Sequence, residues 1–259
     1  MRGLFITATD TGVGKTVVTA GLLRRLRAGG MDAVAMKPTQ TGGTIADCGL
    51  RLADSSAPGV VGSGELSAPD LDFCLRAAGL EPDADEYARM CPFLYEPACS
   101  PHLAGRLARS YPRIPAIAAA ARRLAADHDA VLVEGAGGVL VPIDEKQTML
   151  DLMAALGLPV LLVARGALGT INHTLLSIRA IRSAGLRLLG VVINDPQPTG
   201  RDFVREDNPA AIRQFGEVEI LGDVPHVAGL GRSDPTAAAW EAFDEGLDGF
   251  GRVAEELGR

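Results

Sequence analysis

Several kinds of signal are missing from this 259-residue chain, and each absence removes a class of protein. No run of 18 apolar residues occurs, so no segment reads as a membrane-spanning helix. The arginines are scattered along helical patterns and form no basic cluster. With 25 Lys and Arg against 32 Asp and Glu, a net charge of −7 argues against nucleic acid as a partner. The four cysteines, Cys48, Cys74, Cys91 and Cys99, show no C-x-x-C spacing and no histidine at zinc-finger distance. They read as reduced thiols, which points to the cytoplasm. A strand pattern begins within three residues of Met1, which leaves no room for a leader peptide. No internal repeat or low-complexity linker divides the chain, so a single α/β domain over 1–259 is expected. What the chain has is apolar content: 47% hydrophobic residues against 22% charged, enough for a sizeable core.

The chain is organised around Phe5-Ile6-Thr7-Ala8-Thr9-Asp10-Thr11-Gly12-Val13-Gly14-Lys15-Thr16. An apolar run, Leu4 to Ile6, leads into a loop with two glycines and then a helical pattern from Lys15. Strand, tight loop and helix start make the layout of a phosphate-binding P-loop. Glycines let backbone N–H groups approach an anion, and the first helical turn adds free donors and a positive dipole end. Gly12, Val13, Gly14, Lys15, Thr16 and Val17 are therefore expected to hold a nucleotide's phosphates. Lys15 supplies mobile positive charge, and the Thr16 hydroxyl is a candidate ligand for Mg²⁺. The pattern G-x-x-x-x-G-K-[ST] is met except at its first position, Ala8, where a methyl fits an ordinary strand conformation.

Further along, apolar residues at helical spacing run from Val17 to Leu26 and stop near Gly29-Gly30. Ala33 to Met36 is a short buried-strand candidate that ends at Lys37-Pro38, before the polar loop Thr39-Gln40-Thr41-Gly42-Gly43. Residues 44–67 carry little pattern and read as a flexible insertion. Asp70 opens a helix in which acids suit the first turn, and Ser100-Pro101 caps another. Residues 115–127 are alanine-rich and helical. Ala130 to Glu134 is a continuous apolar strand ending on an acid, followed by the glycine loop Gly135-Ala136-Gly137-Gly138. Pro159 to Ala164 and Leu188 to Asn194 repeat the strand signature around a helix from Thr170 to Ala184. Ile220 to Pro225 reads as a last short strand, and 235–259 as a helical extension. Fully apolar strands alternating with helices predict a doubly wound, mostly parallel sheet with helices on both faces.

Two further groups carry chemistry. Glu134 stands where many P-loop proteins place an acid that holds Mg²⁺ or its water. Lys37 closes a hydrophobic strand before a proline, so a second cation is expected beside Lys15 at a γ-phosphate. Two cations and a metal suit phosphoryl transfer to an anionic acceptor, which ATP would otherwise repel. His102 and His173 both begin helices with no acid at readable spacing, so capping or packing is expected of them.

The set Thr9 to Thr16, Lys37-Pro38-Thr39-Gln40-Thr41-Gly42, Val133 to Gly138, Leu168-Gly169-Thr170-Ile171-Asn172-His173 and Asn194-Asp195 resembles the dethiobiotin synthetases. The resemblance runs from residue 3 to about 228. It implies a homodimer with shared active sites that makes dethiobiotin from 7,8-diaminopelargonate, CO₂ and ATP with Mg²⁺. It implies that Lys15, Lys37 and Thr11 line the reacting centre, and that Thr16, Asp70 and Glu134 hold the metal. Thr41 would contact the carbamate side of the substrate. Gly135, Ala136 and Gly137 would lie beside the nucleotide, and Asn194 with Asp195 at the adenine. Gly169, Thr170, Ile171 and Asn172 open a helix whose positive end would receive the substrate's far carboxylate, across to the partner subunit. Among these, Asp70 has rivals in Asp47, Asp54 and Asp72. A ParA- or MinD-like ATPase switch is the alternative, although its extra loop lysine and membrane-targeting tail have no counterpart here. A cobyrinic-acid-type amide synthase would need a glutaminase domain, for which too little chain follows residue 228.

Overall fold

The computed structural model describes residues 1–45, 66–198 and 202–258. Most of the expected insertion at 44–67, with Cys48, Asp47 and Asp54, lies outside the described residues. The first half of the chain forms β1 (Gly3–Ala8), α1 (Lys15–Ala28), β2 (Ala33–Met36), β3 (Gln40–Thr41), β4 (Thr44–Ile45), β5 (Leu66–Ser67), α2 (Pro69–Ala78), α3 (Ala84–Met90), β6 (Leu94–Tyr95), α4 (Pro101–Leu107) and α5 (Ile114–Asp127). The second half forms β7 (Ala130–Glu134), α6 (Met149–Leu156), β8 (Val160–Ala164), α7 (Thr170–Ser183), β9 (Leu188–Asn194), α8 (Phe203–Gly216), β10 (Ile220–Val224), α9 (Ala237–Gly246) and α10 (Phe250–Gly258).

Six strands make one parallel sheet in the order β10-β9-β8-β1-β7-β2. Successive strand residues point to opposite faces, and every residue of β1, β2, β7 and β8 is buried. Both faces of the sheet are therefore covered, as expected from runs with no polar alternation. Leu4, Phe5 and Ile6 are wholly inaccessible, and side chains of that size stabilise by about 1.5–3 kcal/mol each when removed from water. β1 lies at the centre, so its carboxyl end opens at the crevice between the β7-β2 and β8-β9-β10 halves. That is the edge where open α/β sheets bind ligands.

Several elements had no clear sequence signal. The two-residue strands β3 and β6 pair beside the main sheet, as do β4 and β5. α6 does carry a capping box, in which Asp151 accepts from the Thr148 backbone N–H at 2.7 Å. The expected single C-terminal helix is two helices, α9 and α10. They break at Gly249, whose N–H donates to the Leu221 carbonyl at 2.8 Å and where a Cβ would lie 2.6 Å from Leu221 Cα. α9 docks on α1 through Gly21, where a Cβ would lie 2.2 Å from the Phe243 ring. Trp240 packs edge-on to Phe243 with Arg24 over its ring, and Arg25 stacks on Phe250.

Candidate active site

The loop after β1 has the backbone its glycines predict. Gly12 and Gly14 take φ of 76° and 94°, a region that costs a side chain with a Cβ. Gly14 is doubly constrained, because a Cβ there would lie 2.2 Å from Asn194 Nδ2. That amide donates to the Val13 carbonyl at 2.9 Å, so the end of β9 is tied to the phosphate loop across 181 residues. Ala8 closes β1 as a buried strand residue, which removes the need for glycine at the first motif position.

Lys15 is buried, and its Nζ donates to the Asp10 carbonyl at 3.3 Å. Burial, together with repulsion from Lys37, lowers its pKa to about 8. Thr16 Oγ1 donates to Glu134 Oε1 at 2.9 Å. Lys37 leaves the end of β2 and places Nζ 2.6 Å from Glu134 Oε1 and 2.6 Å from Asp70 Oδ2. Burial alone would lower the Lys37 pKa. The two carboxylates outweigh it and hold the ammonium above the ordinary lysine range. Burial would likewise raise Asp70, and the Lys37 charge overrides it and keeps the carboxyl ionised. Asp72, a rival for the same role, is used elsewhere: its Oδ1 accepts from Tyr87 Oη at 2.7 Å, and that hydroxyl accepts from the Ala68 N–H.

The second glycine loop lies against the first. Gly135 N–H donates to the Ile6 carbonyl at 2.9 Å, Ala136 is buried, and a Cβ on Gly137 would lie 3.5 Å from Thr11 Oγ1. Thr11 itself is exposed, with its N–H on Asp10 Oδ1 at 2.7 Å. Thr41 is half-buried, and its carbonyl accepts from Gln40 Nε2 at 2.8 Å. On the other side, Val17, Asn194 and Asp195 line a cavity of about 250 Å³ that continues along Pro225 to Arg232.

Not every expected residue presents the group assigned to it. Both Asp195 carboxylate oxygens are committed, to Gly166 N–H at 2.8 Å and to Arg205 Nε at 2.6 Å. Asp195 thus faces the cavity as backbone and wall. Arg205 also pairs with Asp223, and Asn208 Nδ2 donates to the Gly166 carbonyl at 2.6 Å. No local pattern announces Arg205 and Asn208, which sit one helical turn apart on α8. Gly169 begins α7 with φ of 91°, and Thr170 turns inward to Thr174, whereas Ile171 is half-buried and Asn172 exposed.

α7 flanks a groove of about 440 Å³ whose other walls are Thr9 to Thr11 and Gly138 to Pro142. His173 and Leu176 line it from the helix. His102 accepts or donates at Nδ1 with Ser100 Oγ, 2.9 Å away, so the expected Ser100 cap spends its hydroxyl on the ring instead of on a backbone N–H. The most heavily partnered histidine is a different one, His128, held between Asp32 at 2.9 Å and Glu86 at 2.8 Å where β2 and β7 begin, at the opposite edge of the sheet.

A parallel sheet with a P-loop after its central strand, a hydroxyl and an acid beyond it, and two buried lysines defines a P-loop nucleotide-binding protein of the ATPase class. Residues 2–234 match the family described as an AAA domain. Among solved structures, a chain of the Aquifex aeolicus MinC:MinD cell division protein complex aligns with a TM-score of 0.60 and 14% identity, covering 98% of this chain and 96% of that one. The cell division ATPase MinD of Pyrococcus furiosus gives 0.53 and 21% over 100% and 99%. At such identities the likeness shows fold alone. Curated relatives are far nearer in sequence. The ATP-dependent dethiobiotin synthetase BioD of Anaeromyxobacter sp. (strain Fw109-5) is 44% identical over 88% of this chain and 91% of its own. That of Anoxybacillus flavithermus is 34% identical over 88% and 93%. The chain belongs to the dethiobiotin synthetase family, and is an ATP-dependent ligase. Among the described residues no helix is long and apolar enough to cross a membrane.

Proposed function

We propose that this enzyme, in the cytoplasm, closes the ureido ring of dethiobiotin from 7,8-diaminopelargonate, CO₂ and ATP. The observation that carries the reading is the cluster of Lys15, Lys37, Glu134 and Asp70 at the phosphate loop. Two buried cations at one phosphate site suit attack by an anionic nucleophile, because positive charge on both sides of the transferring group offsets the repulsion between the two anions. One substrate amine loses a proton and captures CO₂ as a carbamate. A carbamate oxygen attacks the γ-phosphorus as ADP leaves, giving a carbamic-phosphoric anhydride. The second amine then attacks the carbonyl carbon, loses its proton, and phosphate departs with the C–O bond electrons. Lys15 and Lys37 hold the developing charge, Thr11 hydrogen-bonds at the reacting centre, and Thr41 orients the carbamate end.

Mg²⁺ would take Thr16, Asp70 and Glu134, a hydroxyl and two carboxylates, with phosphate and water completing the shell. These are the hard oxygen donors it prefers, and few protein ligands are usual for it. The fit is supported by the Thr16–Glu134 contact at 2.9 Å and by the Lys37 ammonium, a cation already bound by both acids. When bound, the metal supplies Lewis-acid neutralisation of the phosphates. The cavity bordered by Gly14, Asn194 and Asp195 suits the adenine. Homodimerisation is supported by the exposed Leu140 and Leu176, 60% and 58% accessible, which line one groove, and by Leu168, 82% accessible just before α7. On that reading Gly169 to Asn172 of one subunit meet the substrate carboxylate in the other. The decisive test is incubation with ATP, Mg²⁺, bicarbonate and diaminopelargonate, followed by mass spectrometry. Dethiobiotin that appears only when all are present supports the reading, and its absence overturns it.

A further inference from the structure

We infer that Lys37 serves as an internal counter-ion for the metal-binding carboxylates, so that the divalent cation enters with the nucleotide and displaces the Lys37 ammonium toward the phosphates. This rests on the proposed metal ligands Thr16, Asp70 and Glu134. The geometry behind it is specific. Lys37 Nζ contacts Glu134 Oε1 and Asp70 Oδ2 at 2.6 Å each, and Thr16 Oγ1 reaches the same Glu134 oxygen at 2.9 Å. A divalent ion on these oxygens would sit beside the Lys37 ammonium, so the two cations repel each other and compete for the same carboxylates. Lys37 is 4% and Glu134 2% exposed, so solvent does little to screen a second cation placed there.

Charge decides the order of events. Lys15, Lys37, Asp70 and Glu134 sum to zero, since two cations face two carboxylates. A free divalent cation would add two positive charges to a neutral cluster whose Lys15, Lys37 and Glu134 are buried, at a high desolvation cost. Metal arriving with ATP brings net negative charge instead, and the polyphosphate offers the Lys37 ammonium new acceptors. The lysine that pairs the acids before binding then becomes the lysine beside the γ-phosphate. The two acids, Glu134 buried and Asp70 half-buried, would otherwise repel each other in the nucleotide-free enzyme, so the same lysine also keeps the ligands together.

The test is Mn²⁺ binding, followed by electron paramagnetic resonance of the free ion, with and without a non-hydrolysable ATP analogue. Wild type is compared with Lys37→Met, Lys37→Gln and Glu134→Gln. Removal of the competing charge should tighten nucleotide-free Mn²⁺ binding by on the order of tenfold or more in the two neutral variants. Their melting temperatures, lowered without metal, should recover on adding Mn²⁺ to a greater degree than wild type gains. A folded neutral variant that binds Mn²⁺ no tighter than wild type overturns the exchange. If neither variant folds, wild type decides: nucleotide-free Mn²⁺ binding as tight as that with the analogue overturns it, and much weaker binding supports it. Glu134→Gln separates the two ideas. If it leaves Mn²⁺ binding with the analogue unchanged, the metal assignment itself fails, whatever the lysine variants do.

Discussion

Lys37 and Glu134, 97 residues apart in the chain, meet at 2.6 Å because β2 and β7 are neighbours in the sheet and end at the same edge. Met36 is in register with Val133, so the residues that follow each strand emerge side by side. Truncation of Lys37 to Ala should change ATP affinity far less than turnover and lower kcat by about a hundredfold, the usual loss for a preorganised donor used mainly in the transition state. Single-turnover kinetics beside a nucleotide titration check this. Near-normal turnover would return Lys37 to a structural role.

Glu134→Gln and Thr16→Ala should weaken divalent-ion binding together and raise the Mg²⁺ concentration that activity needs, since their oxygens sit 2.9 Å apart. Asp70→Asn should join them, whereas Asp72→Asn should not, because Asp72 is bound to Tyr87. Activity measured against Mg²⁺ concentration in all four variants decides it. A larger effect from Asp72 would remove Asp70 from the metal set.

Gly166→Ala tests the support beneath the site. A Cβ there would lie 2.0 Å from Arg205 Nε and 2.6 Å from Asp195 Oδ1, with no flexible end to give way. Overpacking of this kind costs about 1–3 kcal/mol. Thermal melting should show that loss, with a raised KM for ATP because Asp195 adjoins Asn194. An unchanged melting point would mean that α8 yields freely.

The start of α7 is tested by Thr170→Glu. Thr170 is 1% exposed and turned inward, so the longer, charged side chain must swing out to the helix end, where it would repel a substrate anion. KM for diaminopelargonate should rise while ATP affinity holds. Mixed with the inactive Lys37→Ala protein, it should regain activity in hybrid dimers, since one of their sites then has both halves intact. Demonstrated subunit exchange without activity would refute the shared site.

The capping box of α6 offers a pH-dependent test far from the chemistry. Hydrogen bonds from the Thr148 backbone and hydroxyl hold the Asp151 carboxyl below its ordinary pKa. A depressed carboxyl pKa stabilises the fold above the unfolded value near 3.8, and that stability is lost as pH falls through the folded value. Thr148→Ala should cost about 1 kcal/mol at neutral pH. The difference from wild type should narrow in acid, as read by denaturant titration. A gap that stays constant down to the acid limit would rule the cap out as its source.

Read as a string, the chain already determined the P-loop, the buried parallel strands and the two charged residues, Lys37 and Glu134, that end strands. These are local signals: a glycine spacing, an apolar run, a charge where the run stops. Side-chain periodicity and backbone sterics carry them within a few residues. Only the tertiary structure decided that Asp70, and not Asp72, pairs with Lys37. Both acids occupy the first turn of α2, and the choice depends on which face of that helix meets β2 and which meets Tyr87. It also decided that the Asp195 carboxylate is spent on Gly166 and Arg205. Asp195 follows β9, Gly166 follows β8 and Arg205 lies on α8, and nothing in the neighbourhood of any one of them encodes the other two. Register between distant strands and the docking of helices bring them together, because such contacts are fixed by the packing of the whole core.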